Sequence, residues 1–301
     1  MTVADITNRA AVFGRHRARL FGIAYRMLGT VEDAEDLVQE TYLRWEQAAG
    51  PDVRAPEGWL VAVITRLGID RLRRVAVERR SYPGPWLPEP VATADWAVTD
   101  HAAELASDLS LAFLVLLERL APEERAAFLL REVFETGYDE IARVLEKSET
   151  ACRQMVHRAR ERVRRGHARF TVPAEAKERL VGRFLAALKA GDRDALLALF
   201  AADATWTSDG GGKVAAARRV FRGADRIVRF LLGLERKWPG VITHRVEEIN
   251  GAPAIVGYAG ARVYKVTSFD CDANRIFAAY SVLNPDKLRR LARSRLPSSP
   301  R

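Results

Sequence analysis

The sequence predicts a multidomain chain, with two all-α domains, the second built on a helix-turn-helix, followed by an α+β domain. Three observations lead there. Apolar residues recur at helical spacing from about residue 8 to residue 168. Within that span, Tyr138 to Arg165 holds two amphipathic patterns separated by a polar turn. Beyond Pro173, helical stripes give way to alternating segments rich in β-branched and aromatic residues, the order expected of an α+β domain.

The chain has 301 residues, 48% of them hydrophobic and 29% charged, a composition of folded domains rather than of disorder. It contains no run of 18 apolar residues, so no membrane span is expected. The N-terminal MTVADITNRAAVFGRHR lacks the apolar core of a signal peptide, which makes a cytoplasmic protein the expectation. Cys152 and Cys271 alone make neither a disulfide framework nor a zinc site, and no metal or cofactor is expected. The net charge is +9, unevenly placed: −1 over residues 1–170 and +10 over residues 171–301. In the first part, an acidic block at 31–57 precedes basic blocks at 66–80 and 150–170. Such segregation suits two kinds of partner, a basic protein surface and DNA.

The first domain is expected over residues 8–80. Phe13, Leu20, Ile23, Ala24, Met27 and Leu28 form a helical stripe that Gly29 ends. Thr30 and Asp33 resemble a capping box for the next helix. That helix buries Ala34, Leu37, Val38, Thr41 and Trp45, and leaves Asp33, Glu35, Asp36, Gln39, Glu40 and Arg44 outside. Pro56 opens a third helix, with Leu60, Val63, Ile64, Leu67 and Leu72 as its apolar positions. Its polar positions are Thr65, Arg66, Asp70, Arg71, Arg73, Arg74, Arg79 and Arg80, beside an exposed Trp59. Arginines next to an aromatic suit phosphate contact and stacking of an unpaired base.

Residues 81–104 are a linker with four prolines between Pro83 and Pro90, which favours an extended path. The second domain, 105–168, carries the helix-turn-helix. Tyr138, Ile141, Ala142 and Leu145 share one face of its first helix, and Cys152, Val156, Ala159 and Val163 one face of its second. Ser148 is placed to cap the second helix. The outer face carries Arg153, Gln154, His157, Arg158, Arg160, Arg164 and Arg165; arginine and glutamine read base edges, and arginine also holds phosphate. Glu146 stands where such turns often use glycine.

The order of these pieces resembles the extracytoplasmic-function sigma factors of RNA polymerase, carried by DAEDLVQETYLRW and by LERLAPEERAAFLLREVFETGYDEIARVLEKSETACRQMVHRARERV. The resemblance implies core RNA polymerase as a partner, through the β′ clamp helices and the β subunit, with Asp36, Gln39, Glu40, Leu43 and Arg44 at the contact. It implies that Trp59, Thr65, Arg66, Asp70, Arg71, Arg73 and Arg74 open and read a −10 promoter element. It implies that Ser148, Glu149, Ala151, Arg153, Gln154, His157 and Arg158 read a −35 element. The chain departs from the family in having Leu67 where Asn is frequent, and Leu145-Glu146-Lys147 where Leu-Gly-Ile is usual.

The third domain is expected over 174–283, with a tail to 301. Leu180, Phe184, Leu185 and Leu188 mark one helix, Gly191-Asp192 a turn, and Ala195, Leu196, Leu199 and Phe200 a second helix; ADRIVRFLLGLERKW is a third. VITHRVEEING, ARVYKVTSFD and RIFAAYSVL are then expected to pair as antiparallel strands. The pattern resembles the SnoaL-like, nuclear-transport-factor-2-like cone fold, whose pocket implies a small-molecule ligand as a further candidate partner. WLPEP, DGGGK and NPDKL resemble motifs of a sigma subgroup of the SigJ-like kind with a fused domain of this type. That resemblance implies a regulatory contact through Trp86, Leu87, Pro88, Asp209, Gly210, Gly211, Gly212, Lys213, Asn284, Pro285 and Asp286. DGGGK also suits a simple hairpin turn, and it lacks the spacing of a phosphate loop. Two other functions compete with a sigma factor. One is a helix-turn-helix regulator that senses a ligand. The other is a SnoaL-like enzyme tied to DNA, for which Asp209, Lys213, His244, Tyr258 and Tyr264 are the candidate groups; His244 reads as a surface or satisfied core residue, and no catalytic role is expected.

Overall fold

The computed structural model describes residues 3–48, 55–95, 109–166 and 172–293. The chain divides into two compact units, one holding residues 1–80 and 116–166, the other 81–98, 106–115 and 167–301. The described linker residues, 81–95, therefore belong with the C-terminal part. Linker residues 96–104 and tail residues 294–301 lie outside the described residues. No described helix is long and apolar enough to cross a membrane.

The first unit is helical: α1 (Val3–Leu28), α2 (Val31–Gln47), α3 (Pro56–Glu78), then, after α4 (Leu111–Leu117), α5 (Pro122–Glu132), α6 (Tyr138–Leu145) and α7 (Glu149–Gly166). The expected stripe of α1 is buried from Phe13 to Leu28. Gly29 takes φ 76°, a left-handed stop that costs glycine little. The start of α2 differs from a capping box. Thr30 Oγ1 donates to Asp33 Oδ2 at 2.5 Å, so no side chain caps the helix backbone. Asp is one carbon shorter than the usual Glu, and here it meets the threonine hydroxyl instead.

In α3 the inward face is rotated from the expected one. Leu60, Val61, Ile64, Thr65, Gly68, Ile69, Leu72 and Val75 are buried, while Val63 and Leu67 are half-buried. A Cβ on Gly68 would lie 2.8 Å from Met27 Sδ, so this glycine lets α1 and α3 approach closely. The inward face of α6 is likewise Ile141 and Val144, with Tyr138, Ala142 and Leu145 half-buried. In α7 it is Cys152, Met155, Val156 and Ala159, with Val163 half-buried.

The second unit holds α8 (Ala174–Ala190), α9 (Arg193–Leu199), β1 (Phe200–Asp209), β2 (Phe221–Arg222), α10 (Ala224–Lys237), β3 (Thr243–Ile249), β4 (Ala252–Ala259), β5 (Arg262–Cys271), β6 (Ile276–Val282) and α11 (Pro285–Arg293). Its six strands form one sheet in the order β2-β1-β6-β5-β4-β3. The sheet is mixed rather than antiparallel throughout, because β1 runs parallel to β6. The chain leaves β1 for β2, α10 and the β3–β5 meander before β6 returns beside β1, and that long excursion allows a parallel pair.

Alternate residues of the strands feed two cores, as a period of two demands. Ile255 and Ala279 join Phe184, Leu196, Trp206 and Ile227 on the helix-covered face. Ala254, Val256, Ala278 and Tyr280 join Leu87, Ala92, Leu288 and Leu291 on the other. The linker and α11 therefore supply the second layer of this unit. Ala92 forms a bridge with Ile249, and Val91 N donates to Asn250 Oδ1 at 3.0 Å.

Candidate polymerase and promoter interfaces and a linker clasp

The residues buried under α2 fix what it presents. With Val31, Ala34, Leu37, Val38, Thr41 and Trp45 inward, helical spacing sends Asp36, Gln39, Leu43 and Arg44 outward. Leu43 is 47% exposed on an otherwise charged face, where Arg44 Nε pairs with Glu40 at 2.9 Å. An exposed leucine among charges is a compact surface for a protein partner.

Arg66, Asp70, Arg73 and Arg74 of α3 are exposed. Two other residues expected to read DNA are not. Thr65 is fully buried, and its Oγ1 has no hydrogen-bond partner. It lies next to Ile64 on a helix face wide enough to cover both. Trp59 is half-buried, with its ring centroid 5.5 Å from that of Trp45, and so it is not a free stacking surface. Arg71 donates through Nε and Nη2 to Asp33 Oδ1 at 2.9 and 2.7 Å, a pairing that raises its pKa and ties α3 to α2.

The helix-turn-helix forms around Glu146, which adopts φ 55° and ψ 45° after α6. A left-handed non-glycine residue costs roughly 1–2 kcal/mol. Ser148 Oγ accepts from Ala151 N at 3.2 Å, the expected cap of α7. Arg153, Gln154, His157 and Arg158 are exposed on α7, whereas Ala151 is half-buried. The basic face is held in place by acids. Buried Glu124 accepts from Arg158 at 3.4 Å and also pairs with Arg162. Arg160 is bound to Glu132 at 2.6 Å, and Arg153 lies 4.3 Å over the Tyr138 ring.

A different kind of site lies in the second unit. Asp209, the last residue of β1, is 0% exposed. Its Oδ1 accepts from the Tyr82 hydroxyl at 2.6 Å and from Gly211 N at 3.0 Å. Its Oδ2 accepts from Leu87 N at 2.9 Å and from Lys287 Nζ at 2.7 Å. Lys287 Nζ also donates to the Leu87 carbonyl and sits 4.1 Å from the Trp86 ring centroid. Asn284 Nδ2 donates to the Tyr82 hydroxyl at 3.0 Å, and Lys213 pairs with Asp286. Burial, then the carboxylate of Asp209, push the Tyr82 pKa up. The Lys213 partnership pulls that of Asp286 down.

The glycines are required here. Gly211 and Gly212 take φ 61° and 71°. A Cβ on Gly211 would clash with Asn284, and one on Gly212 would lie 2.5 Å from Pro83 Cγ. The linker, the glycine loop and the start of α11 thus close as one clasp. Beside it, Pro83, Gly84, Pro85, Gly212, Lys213 and Arg218 line a cleft of about 410 Å³.

Residues 12–77 match the family "Sigma-70 region 2", residues 110–163 "Sigma-70, region 4", and residues 181–268 "SnoaL-like domain". The ECF RNA polymerase sigma factor SigJ of Mycobacterium tuberculosis is 40% identical over 285 residues, covering 90% of each chain. The chain belongs to the extracytoplasmic-function sigma factors. A second relative, the probable ECF sigma factor SigI of the same species, is 30% identical over 93% of this chain and 94% of its own. The crystal structure of the M. tuberculosis sigma factor SigJ matches with a TM-score of 0.75 and 37% identity, over 94% of this chain and 98% of that one. As a sigma factor the protein serves transcription initiation, with RNA polymerase and promoter DNA as its partners.

Of the regulatory residues expected from the sequence of this sigma factor, the clasp brings together Trp86, Leu87, Asp209, Gly211, Gly212, Lys213, Asn284 and Asp286. Tyr82 and Lys287 are central to it and were not expected. Lys287 lay inside the NPDKL string, but its partner Asp209 is 78 positions away in the chain. Three of the five groups considered for catalysis in this sigma factor are engaged elsewhere, Asp209 in the clasp, Lys213 with Asp286 and Tyr258 with Glu247, while Tyr264 is exposed. His244 is neither a surface nor a satisfied core residue. It is half-buried, its Nε2 has no hydrogen-bond partner, and burial together with Lys265 and Lys189 lowers its pKa to about 4.

Proposed function

We propose that this sigma factor docks on core RNA polymerase through the outer face of α2 and reads a −35/−10 promoter pair, with its C-terminal unit setting how freely it does so. Asp36, Gln39, Glu40, Leu43 and Arg44 meet the β′ clamp helices, and the β subunit completes the polymerase contact. Arg66, Asp70, Arg73 and Arg74 of α3 meet the −10 strand; Arg153, Gln154, His157 and Arg158 of α7 enter the −35 major groove. Arg71 and Thr65 support α3 from within. The polymerase carries the chemistry, and this chain selects the start.

The observation behind the regulatory part is the Asp209–Lys287 clasp on Tyr82, Trp86 and Leu87. These linker residues follow directly on α3 in the chain, so holding them limits the paths open to the segment joining the two promoter-reading domains. The test is run-off transcription with core polymerase on DNA from upstream of the protein's own gene. The full chain, an Asp209→Asn variant and a chain ending near residue 170 are compared. A discrete transcript whose yield changes in both altered chains supports the reading. Equal yields from all three sink the regulatory part, and failure to co-migrate with core polymerase sinks the whole.

A further inference from the structure

In the second unit, the cleft beside the clasp has two walls. Pro83, Gly84 and Pro85 of the linker form one, and residues 212–218, which follow β1, form the other. Gly210 lets the second wall fold back on itself, because a Cβ there would lie 2.6 Å from the Val214 carbonyl oxygen and 2.7 Å from Ala216 Cβ. Gly84, at φ 94°, brings the linker against the backbone of Arg218. The volume of about 410 Å³ falls within the range of small-molecule clefts, about 300–1,000 Å³.

The charges around the cleft are not balanced. Arg218 is exposed, and its guanidinium meets no acid or carbonyl among the described residues. Lys213 shares Asp286 with Arg289, which approaches the other oxygen at 3.0 Å. Asp209 is already neutralised by Lys287. The backbone amides of Gly212, Ala215, Ala216 and Ala217 donate to no described residue, although backbone donors ordinarily find a partner. Cations and free amides converging on a cleft are the elements of a phosphate site. DGGGK lacks the spacing of a phosphate loop; its glycines shape the wall, and the charge comes from Lys213 and Arg218. No described lining residue is aromatic, so the cleft offers no platform on which an unpaired base could stack.

We propose that this cleft binds a phosphorylated small molecule, with its phosphate held by Arg218, Lys213 and the free amides and its body between the prolines and alanines. A ligand that touches both walls holds the linker on the C-terminal unit more firmly than the clasp does alone. Binding needs neither polymerase nor promoter, and it does not rest on the regulatory reading above.

The test titrates inorganic pyrophosphate into the full chain by calorimetry, with ionic strength held constant by sodium chloride so that screening does not change. One saturable site per chain is expected. Arg218→Glu weakens it by about tenfold or more, and Arg218→Lys by less, since lysine keeps the charge but not the planar fork. Arg226→Glu changes the net charge equally at an exposed position of α10 outside the lining, and leaves binding unaltered. Amide exchange is followed in the same samples. With pyrophosphate at ten times its dissociation constant, exchange within residues 81–95 slows about tenfold. No saturable binding up to about 10 mM overturns the site. So does equal weakening in Arg218→Glu and Arg226→Glu, or a loss confined to Arg158→Glu, which would put the anion on α7. A single-stranded RNA of about ten nucleotides that binds through Arg218 more tightly than pyrophosphate overturns the small-molecule class.

Discussion

Two charged clusters in this sigma factor look alike in sequence and differ in physics. In the C-terminal unit, Asp209 and Lys287 are buried, and the carboxylate accepts four hydrogen bonds. In the helical unit, Arg66, Glu146, Arg73 and Glu123 pair at the surface, with Glu123 half-buried and the others exposed. Coulomb attraction is strong in a low-dielectric interior and weak in water. The first cluster is therefore part of the fold, and removing one partner strands a charge. The second is a contact that salt or a competing anion can replace. Charge near a linker or a turn says little about strength until burial is known.

The largest break in this comparison is expected from Lys287→Met, which leaves Asp209 buried and unpaired. The C-terminal unit should lose about 3–5 kcal/mol in urea unfolding, and protease should cut sooner within residues 81–95. Glu123→Gln in the exposed cluster should change unfolding by less than about 1 kcal/mol. A similar loss in both variants would erase the distinction. Next in size is Gly212→Ala, which puts a methyl against Pro83 at positive φ; about 1–3 kcal/mol should be lost, with the linker loosened as in Lys287→Met.

Glu124→Gln tests an intermediate case, because Glu124 is buried while its partners Arg158 and Arg162 are half-exposed. About 1–2 kcal/mol of stability is expected to go, with duplex DNA affinity falling as the arginines lose their support. Titration sharpens the comparison within the C-terminal unit. The folded pKa of His244, near 4, lies below its unfolded value of about 6.5. Its contribution is fully present above pH 6.5 and is lost as the pH falls toward 4. The melting temperature should drop over that window, and the drop should be shallower in His244→Gln. Smallest in stability is Leu43→Ala on α2. It should move unfolding by less than about 0.5 kcal/mol while weakening binding to core polymerase, which a co-migration titration would read.

Several elements could be read from the sequence. The stripe of α1, the inward face of α2 and the exposed Arg153–Arg158 face followed from period, and the Ser148 cap from residue type. The sigma reading came instead from resemblance, carried by DAEDLVQETYLRW and the helix-turn-helix string, both of them local. The missed elements have separate causes. β4 is buried on both faces, so Ala254, Ile255 and Val256 show no alternation to detect. Thr65 was placed outside by its polarity, yet the width of the buried face of α3 covers it. The sheet appeared antiparallel because the pairing of β1 with β6 spans most of a domain.

The sequence by itself determined which residues lie on which helix face, the capped turn and the family, because each depends on contacts within a few residues. The tertiary structure alone decided that the proline-rich linker is a layer of the C-terminal unit. It also decided that Tyr82 and Lys287 complete the Asp209 site, and that Arg66 caps α6. These contacts join residues from 77 to 202 positions apart in the chain, and no periodic pattern encodes a meeting at that separation.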